Sequence, residues 1–250
     1  MAAIAALLDG RAALATLRRS LPRSVRLYRC RQERDLEPTL HRYLIDVLVL
    51  GTWVARRMDL PQFRSRYPTI PLALMGSVRP EDGPALAAWS GLGAVLILVE
   101  GVDDAVMGEL ILRHGAAGRR ALLRSDLPGK LRLTEPLQRR AWDRLARSPG
   151  RPPASSNLAR QLGVSREHLS RQFGAGGAPN LKRVSDFLTV QVALELLENP
   201  GYDRFTVARL LEFSSPSHLS AVLRRLTGLS LAEARAAEWR ELVGRFLARQ

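Results

Sequence analysis

Leu158-Ala159-Arg160-Gln161-Leu162-Gly163-Val164-Ser165-Arg166-Glu167-His168-Leu169-Ser170-Arg171-Gln172-Phe173 reads as a short helix, a tight turn and a second helix. Ala159 is small enough for a second helix to cross closely. Gly163 suits a left-handed turn, because it has no Cβ to clash. Ser165 is placed to cap the next helix, its hydroxyl accepting from an exposed backbone N–H. Leu169 and Phe173 are four apart and anchor that helix inward, which leaves its remaining face free.

The same pattern recurs. Val207-Ala208-Arg209-Leu210-Leu211 resembles Leu158–Leu162 at an offset of 49, and Ser215-Pro216-Ser217-His218-Leu219-Ser220 resembles Ser165–Ser170 at an offset of 50. The second turn therefore holds one extra residue. Pro216 fits a first helical position, and Leu219 with Leu223 repeats the apolar anchor. Flanking stretches are also helical in pattern: Glu135–Arg147 with Leu137, Ala141, Trp142 and Leu145; Phe187, Val190, Leu194 and Leu197; and Trp239, Leu242, Val243 and Phe246, a face expected to pack on the core rather than to dimerise.

Residues 1–125 read differently. Val25–Cys30, Val47–Leu50, Pro71–Met75 and Ala94–Val99 are strand-like, and Asp35–Tyr43, Gln62–Tyr67, Gly83–Leu92 and Asp103–His114 are helix-like. The continuous apolar runs suit parallel strands covered on both faces, and the alternation predicts an α/β sandwich. Ile4–Arg19 is expected to be a helix with Gly10 as its weak point. Breaks fall at Ser125–Lys130 and Ser148–Ser156, so the expected domains are residues 1–128 and residues 129–250.

The chain has 250 residues and a net charge of +14. Residues 130–250 contribute +9 of this and residues 1–129 contribute +5. A basic balance favours polyanionic partners, although arginine-rich usage also reflects base composition. No apolar run approaches the roughly 18 residues of a membrane span. One cysteine, Cys30, excludes an intramolecular disulfide and a multi-cysteine zinc site. His41, His114, His168 and His218 show no metal-ligand spacing. No catalytic residue, metal site or cofactor is expected, and the location expected is cytoplasmic, at the nucleoid.

Residues from about Glu135 to Arg235 resemble the DNA-binding domain of the AraC/XylS transcription regulators of bacteria. The resemblance lies in Leu158–Phe173, the helix near Phe187–Leu197, and Val207–Arg235 with its Phe213–Ser220 and Thr227–Ser230 stretches. It implies an all-α domain of two helix-turn-helix subdomains joined by a linker helix. Their recognition helices would enter successive major-groove segments, roughly 34 Å apart along double-stranded DNA. Carried over by position, the DNA-binding residues are Arg166, Glu167, Ser170 and Arg171 in the first unit. In the second they are Ser217, His218, Ser220, Arg224 and Arg225. Arg171 is the leading candidate for specificity, since a guanidinium pairs bidentately with guanine. Arg166 is expected on base or phosphate. Glu167 is either an acceptor for cytosine or a solvated carboxylate at a helix start. His168 and His218 fit equally well as helix residues at the core edge.

Three positions depart from the family pattern: Glu212 replaces a turn glycine, Leu231 a proline, and Ala221 an arginine. The second unit is therefore expected mainly to position the protein, through Arg224 and Arg225 on phosphates.

Residues 1–125 resemble a degenerate response-regulator receiver, a flavodoxin-like α/β sandwich, lacking its first strand. Gly51 stands at the phosphoacceptor position, Gly76 at a hydroxyl position and Glu100 at a lysine position. Phosphoryl transfer needs a carboxylate nucleophile and cations for the developing charge, so none is expected. Glu81-Asp82 and Asp103-Asp104 are read as helix caps. The function expected is a sequence-specific transcription regulator, an activator and not an enzyme, with RNA polymerase and a second copy bound through the N-terminal domain as further candidate partners. Two alternatives stand beside it: a nonspecific architectural DNA binder, and a DNA-repair methyl acceptor using Cys30.

Overall fold

The computed structural model describes residues 2–93, 95–120, 127–148 and 151–249, with the backbone alone at 117–120 and 147. The expected strand start at Ala94, and parts of the expected breaks at 125–126 and 149–150, lie outside the described residues. The chain divides into two compact units. Unit 1 holds Met1–Arg119 and Glu198–Thr206, and unit 2 holds Arg120–Leu197 and Val207–Gln250.

Unit 1 runs β1 (Ala3–Leu7), α1 (Gly10–Ser20), β2 (Arg26–Arg29), α2 (Leu36–Arg42), β3 (Val47–Gly51), α3 (Thr52–Arg57), α4 (Leu60–Arg66), β4 (Leu72–Gly76), α5 (Gly83–Ser90), β5 (Val95–Val99) and α6 (Met107–Arg120). The five strands form one sheet in the order β2-β1-β3-β4-β5, and every described pair is parallel. That is the flavodoxin-like doubly wound order. In the middle of the sheet β3 and β4 are buried on both faces, as helices cover a parallel sheet on each side, whereas the edge strands β2 and β5 are partly exposed.

Two expectations at the N-terminus are overturned. Ile4–Arg19 is not one helix, and the first strand is not missing. Ala3–Leu7 is β1, buried at every position and paired to β2 and β3. A short run of Ala, Ile and Leu suits a buried strand as well as a buried helix, and only the partners decide between them. Gly10, at φ 77, then turns the chain into α1.

Ile4, Leu17, Val49, Ala73, Leu98 and Ile111 meet in the core of the sandwich. The inserted segment Glu198–Thr206 is held in unit 1 by paired polar groups. The Asn199 amide accepts from Thr69 N at 3.0 Å and donates to Thr69 Oγ1 at 2.7 Å. His41 Nε2 lies 2.9 Å from Gly201 O. Gly201 sits where a Cβ would strike the Tyr67 ring, and burial pushes the Tyr67 hydroxyl well above its ordinary pKa.

Unit 2 runs α7 (Leu127–Lys130), α8 (Pro136–Arg147), α9 (Ser155–Leu162), α10 (Arg166–Phe173), α11 (Leu181–Leu197), α12 (Arg204–Leu210, its residues up to Thr206 counted in unit 1), α13 (Pro216–Thr227), α14 (Leu231–Ala236) and α15 (Trp239–Ala248). α10 packs on α8 and α9, while α13 packs on α11, α14 and α15. α11 is buried on most sides from Phe187 to Leu197, and three of its four charged residues, Lys182, Arg183 and Asp186, lie in its first two turns. The Trp239–Phe246 face packs inward as expected: the Phe246 ring stacks on Phe187 at 4.1 Å and is fully buried. No described helix is long and apolar enough to cross a membrane.

Candidate nucleic-acid interface

The internal repeat is a repeat of hydrogen bonds as well as of letters. After α9 the backbone turns through Gly163 at φ 69, and Val164 N donates to Ala159 O at 3.1 Å. After α12 it turns through Glu212 at φ 57, and Phe213 N donates to Ala208 O at 2.8 Å. The left-handed region that glycine enters freely is thus held by a glutamate in the second unit. Its carboxylate pairs with Arg151 across the surface. Ser165 Oγ accepts from His168 N at 3.1 Å, and Ser215 Oγ accepts from His218 N at 3.0 Å. Both serines are therefore N-caps, and each fixes where its recognition helix starts.

The extra residue of the second turn, Ser214, places its hydroxyl 3.0 Å from His218 Nδ1. The His218 ring also meets Phe213 edge-on, with centroids 5.5 Å apart.

The two recognition helices present unequal faces. On α10, Leu169 and Phe173 are fully buried, and Arg166, Glu167, Ser170 and Arg171 are all exposed. None of these four side chains has a partner among the described residues, so all four are available to a ligand. On α13, Leu219 and Leu223 are buried, and Ser217, His218, Ala221, Arg224 and Arg225 are exposed. Ser220 is half-buried and its hydroxyl donates to Pro216 O within its own helix at 3.1 Å. Arg225 meets Asp186 of α11 at 3.0 Å, but its side chain is 59% exposed. Such a pair is worth about 1 kcal/mol or less, so a phosphate can compete for it. The structure therefore brings the predicted residues of each unit onto one helix face, but leaves His218, Ser220 and Arg225 with internal ties.

Gln138, absent from the residues singled out in the sequence, organises the first unit. Its side chain is fully buried. Its amide nitrogen lies 3.3, 2.9 and 3.0 Å from the carbonyls of Gln172, Phe173 and Ala175. Phe173 O ends α10, where no intrahelical N–H remains to satisfy it, while Gln172 O also accepts from Gly174 N and Ala175 O from Ala178 N. Its side-chain oxygen accepts from Glu135 N at 2.9 Å. One glutamine thus caps the start of α8 and the end of the recognition helix together. The signal in the sequence was a polar residue on the apolar face of an amphipathic helix.

In unit 1, Gly51 and Gly76 end β3 and β4, and Glu100 follows β5. A cavity of about 440 Å³ opens at these strand ends, lined by Asp9, Thr52, Trp53, Arg56, Ser77 and Glu100. A Cβ at Gly76 would run into Thr52 Oγ1, and one at Gly51 would press on Asp9 at 3.0 Å. Thr52 and Asp9 therefore occupy the room that larger residues at those glycines would need. Burial raises the Asp9 carboxyl above its ordinary pKa. Asp82 instead accepts from Arg79 N at 2.8 Å and meets Arg56 Nη2 at 2.5 Å, and these hold its carboxyl below the ordinary value. Asp103 Oδ2 accepts from Val99 N at 2.7 Å and Asp104 Oδ1 from Gly101 N at 3.0 Å. Asp82, Asp103 and Asp104 thus bind backbone N–H groups. Among the described residues no group of three or more His, Cys, Asp or Glu is placed to hold a metal ion.

The model of the family described as "Helix-turn-helix domain" matches residues 158–237. Full-length FixJ from B. japonicum, a solved structure, aligns at 16% identity over 92% of this chain and 98% of that one, with a TM-score of 0.39. No curated protein matches the chain in sequence. The residues that match this helix-turn-helix domain model span both cap-and-turn units described above.

Proposed function

We propose that the protein is a sequence-specific regulator in which α10 reads base edges and α13 chiefly positions the domain on phosphates. The observation that carries this is the asymmetry of the two faces. Arg166, Glu167, Ser170 and Arg171 are exposed without internal partners, whereas His218, Ser220 and Arg225 are tied to their surroundings. Arg171 pairs with guanine in the major groove, Arg166 contacts base or phosphate, and Ser217 and Arg224 contact the backbone beside α13.

The test is selection of bound sequences by the full chain, followed by binding measurements with Arg171→Ala. The variant is expected to lose about 1–3 kcal/mol at one base pair of the selected site. An equal loss on every sequence would favour the nonspecific architectural reading.

The resemblance further supports action as an activator that touches RNA polymerase. A promoter fusion whose output falls when the protein is removed agrees with this, and one whose output rises contradicts it.

Unit 1 supplies contact with a second copy. β5 is an edge strand of five apolar residues, four of them only partly buried, and Val102 and Val106 beyond it are 75% and 46% exposed. Exposed apolar edges of this kind call for a cover. Sedimentation of Val102→Asp/Val106→Asp should show a shift toward monomer.

A further inference from the structure

Unit 1 carries its own concentration of positive charge. From Gly10 to Gln32 the chain has seven arginines and no Asp or Glu. α1 sets Arg11, Leu14 and Arg18 on one face, at helical spacing, and this face adjoins β2 at the edge of the sheet. Between them lies a groove of about 580 Å³, lined also by Arg26, Tyr28 and Arg29. Arg18 Nη1 donates to Val25 O at 2.9 Å and braces the groove. Arg11, Arg26 and Arg29 are exposed, and no carboxylate among the described residues pairs with them. Four other arginines of unit 1, Arg56, Arg66, Arg79 and Arg113, each meet an acidic partner, and Arg42 and Arg57 lie over the Tyr43 and Trp53 rings.

Charge on an edge strand discourages strand pairing between molecules. That role needs charge on β2 and does not call for Arg11 and Arg18 on the helix. A single small anion is satisfied by one or two guanidiniums. Four along one groove, Arg11, Arg18, Arg26 and Arg29, suit a ligand that repeats its charge.

We propose that this groove binds the phosphate backbone of duplex DNA, giving unit 1 an electrostatic contact of its own. The proposal rests on the reading that unit 2 binds DNA. It adds a second set of cations, each of which displaces counterions from the duplex when it engages.

The experiment uses the full chain and a random-sequence duplex, with affinity measured across salt concentrations. Arg11→Gln/Arg26→Gln/Arg29→Gln is compared with a charge-matched control, Arg42→Gln/Arg57→Gln/Arg113→Gln. The groove variant is expected to flatten the plot of log affinity against log salt by about 2 to 3, at about 0.9 per lost phosphate contact. The control is expected to stay near wild type. Should the triple variant melt early, Arg11→Gln and Arg29→Gln alone should each flatten the slope by about 0.9. Equal slopes for groove variant, control and wild type overturn the groove and leave unit 2 as the DNA-binding part. A wild type that binds no duplex overturns the DNA reading, and the groove proposal with it.

Discussion

At the residue scale, Gly163 and Glu212 show what a turn demands and what it tolerates. Both are left-handed, at φ 69 and φ 57. A Cβ on Gly163 would meet no atom within 4 Å, so the backbone conformation alone sets the cost of a side chain there. Gly163→Ala is expected to lower unfolding stability by about 1–2 kcal/mol, measured by denaturant titration. Glu212 bears a cost of that kind in the wild type, and its exposed pair with Arg151 offsets little of it.

Cys30 decides the methyl-acceptor alternative. Its thiol is 2% exposed and lies 3.5 Å from Thr39 Oγ1. Burial, with the Asp35 carboxylate beside it, pushes its pKa up and so away from the reactive thiolate. Mass spectrometry of the native protein with an alkylating agent at neutral pH should find Cys30 largely unmodified, with full modification after unfolding. Rapid labelling of the native protein would revive that alternative.

At the element scale, the recognition helices owe their placement to their ends. Ser165 and Ser215 were readable as caps because a cap is a local arrangement, a hydroxyl three residues before the N–H it accepts. Gln138 was not, because the carbonyls it reaches lie more than thirty positions along the chain. Gln138→Leu keeps the bulk and takes this donor from the buried Phe173 carbonyl, at a cost of about 1–3 kcal/mol. Amide hydrogen exchange should locate the loosening at the C-terminal end of α10, with DNA affinity falling alongside. Unchanged exchange in α10 would show that the carbonyl finds another donor.

At the scale of the whole molecule, stability should respond to acid through carboxylates bound to backbone N–H groups. Asp82 is held low first by Arg79 N and then by the Arg56 guanidinium. A carboxyl whose pKa is depressed on folding contributes stability above its unfolded value of about 3.9. That contribution is lost as pH falls through the folded value. Asp35 and Glu233, held low by Arg31 N and by Ser230 respectively, act in the same direction. The melting temperature should therefore drop on acidification below about pH 4. Asp82→Asn should be destabilised at neutral pH, and its difference from wild type should narrow in acid. A constant difference would show that Asp82 acts through packing alone.

Each copy of the repeat, with its serine cap, its turn and the apolar anchors of its second helix, was written in the chain within fewer than twenty residues. Helical periodicity and capping are local physics, satisfied by neighbours in sequence. The identity of Ala3–Leu7 as a strand, the reach of Gln138 and the seating of Glu198–Thr206 in unit 1 depended on distant partners. A backbone N–H or a guanidinium takes its role from what faces it, and for these groups only the tertiary structure brings that neighbour into place.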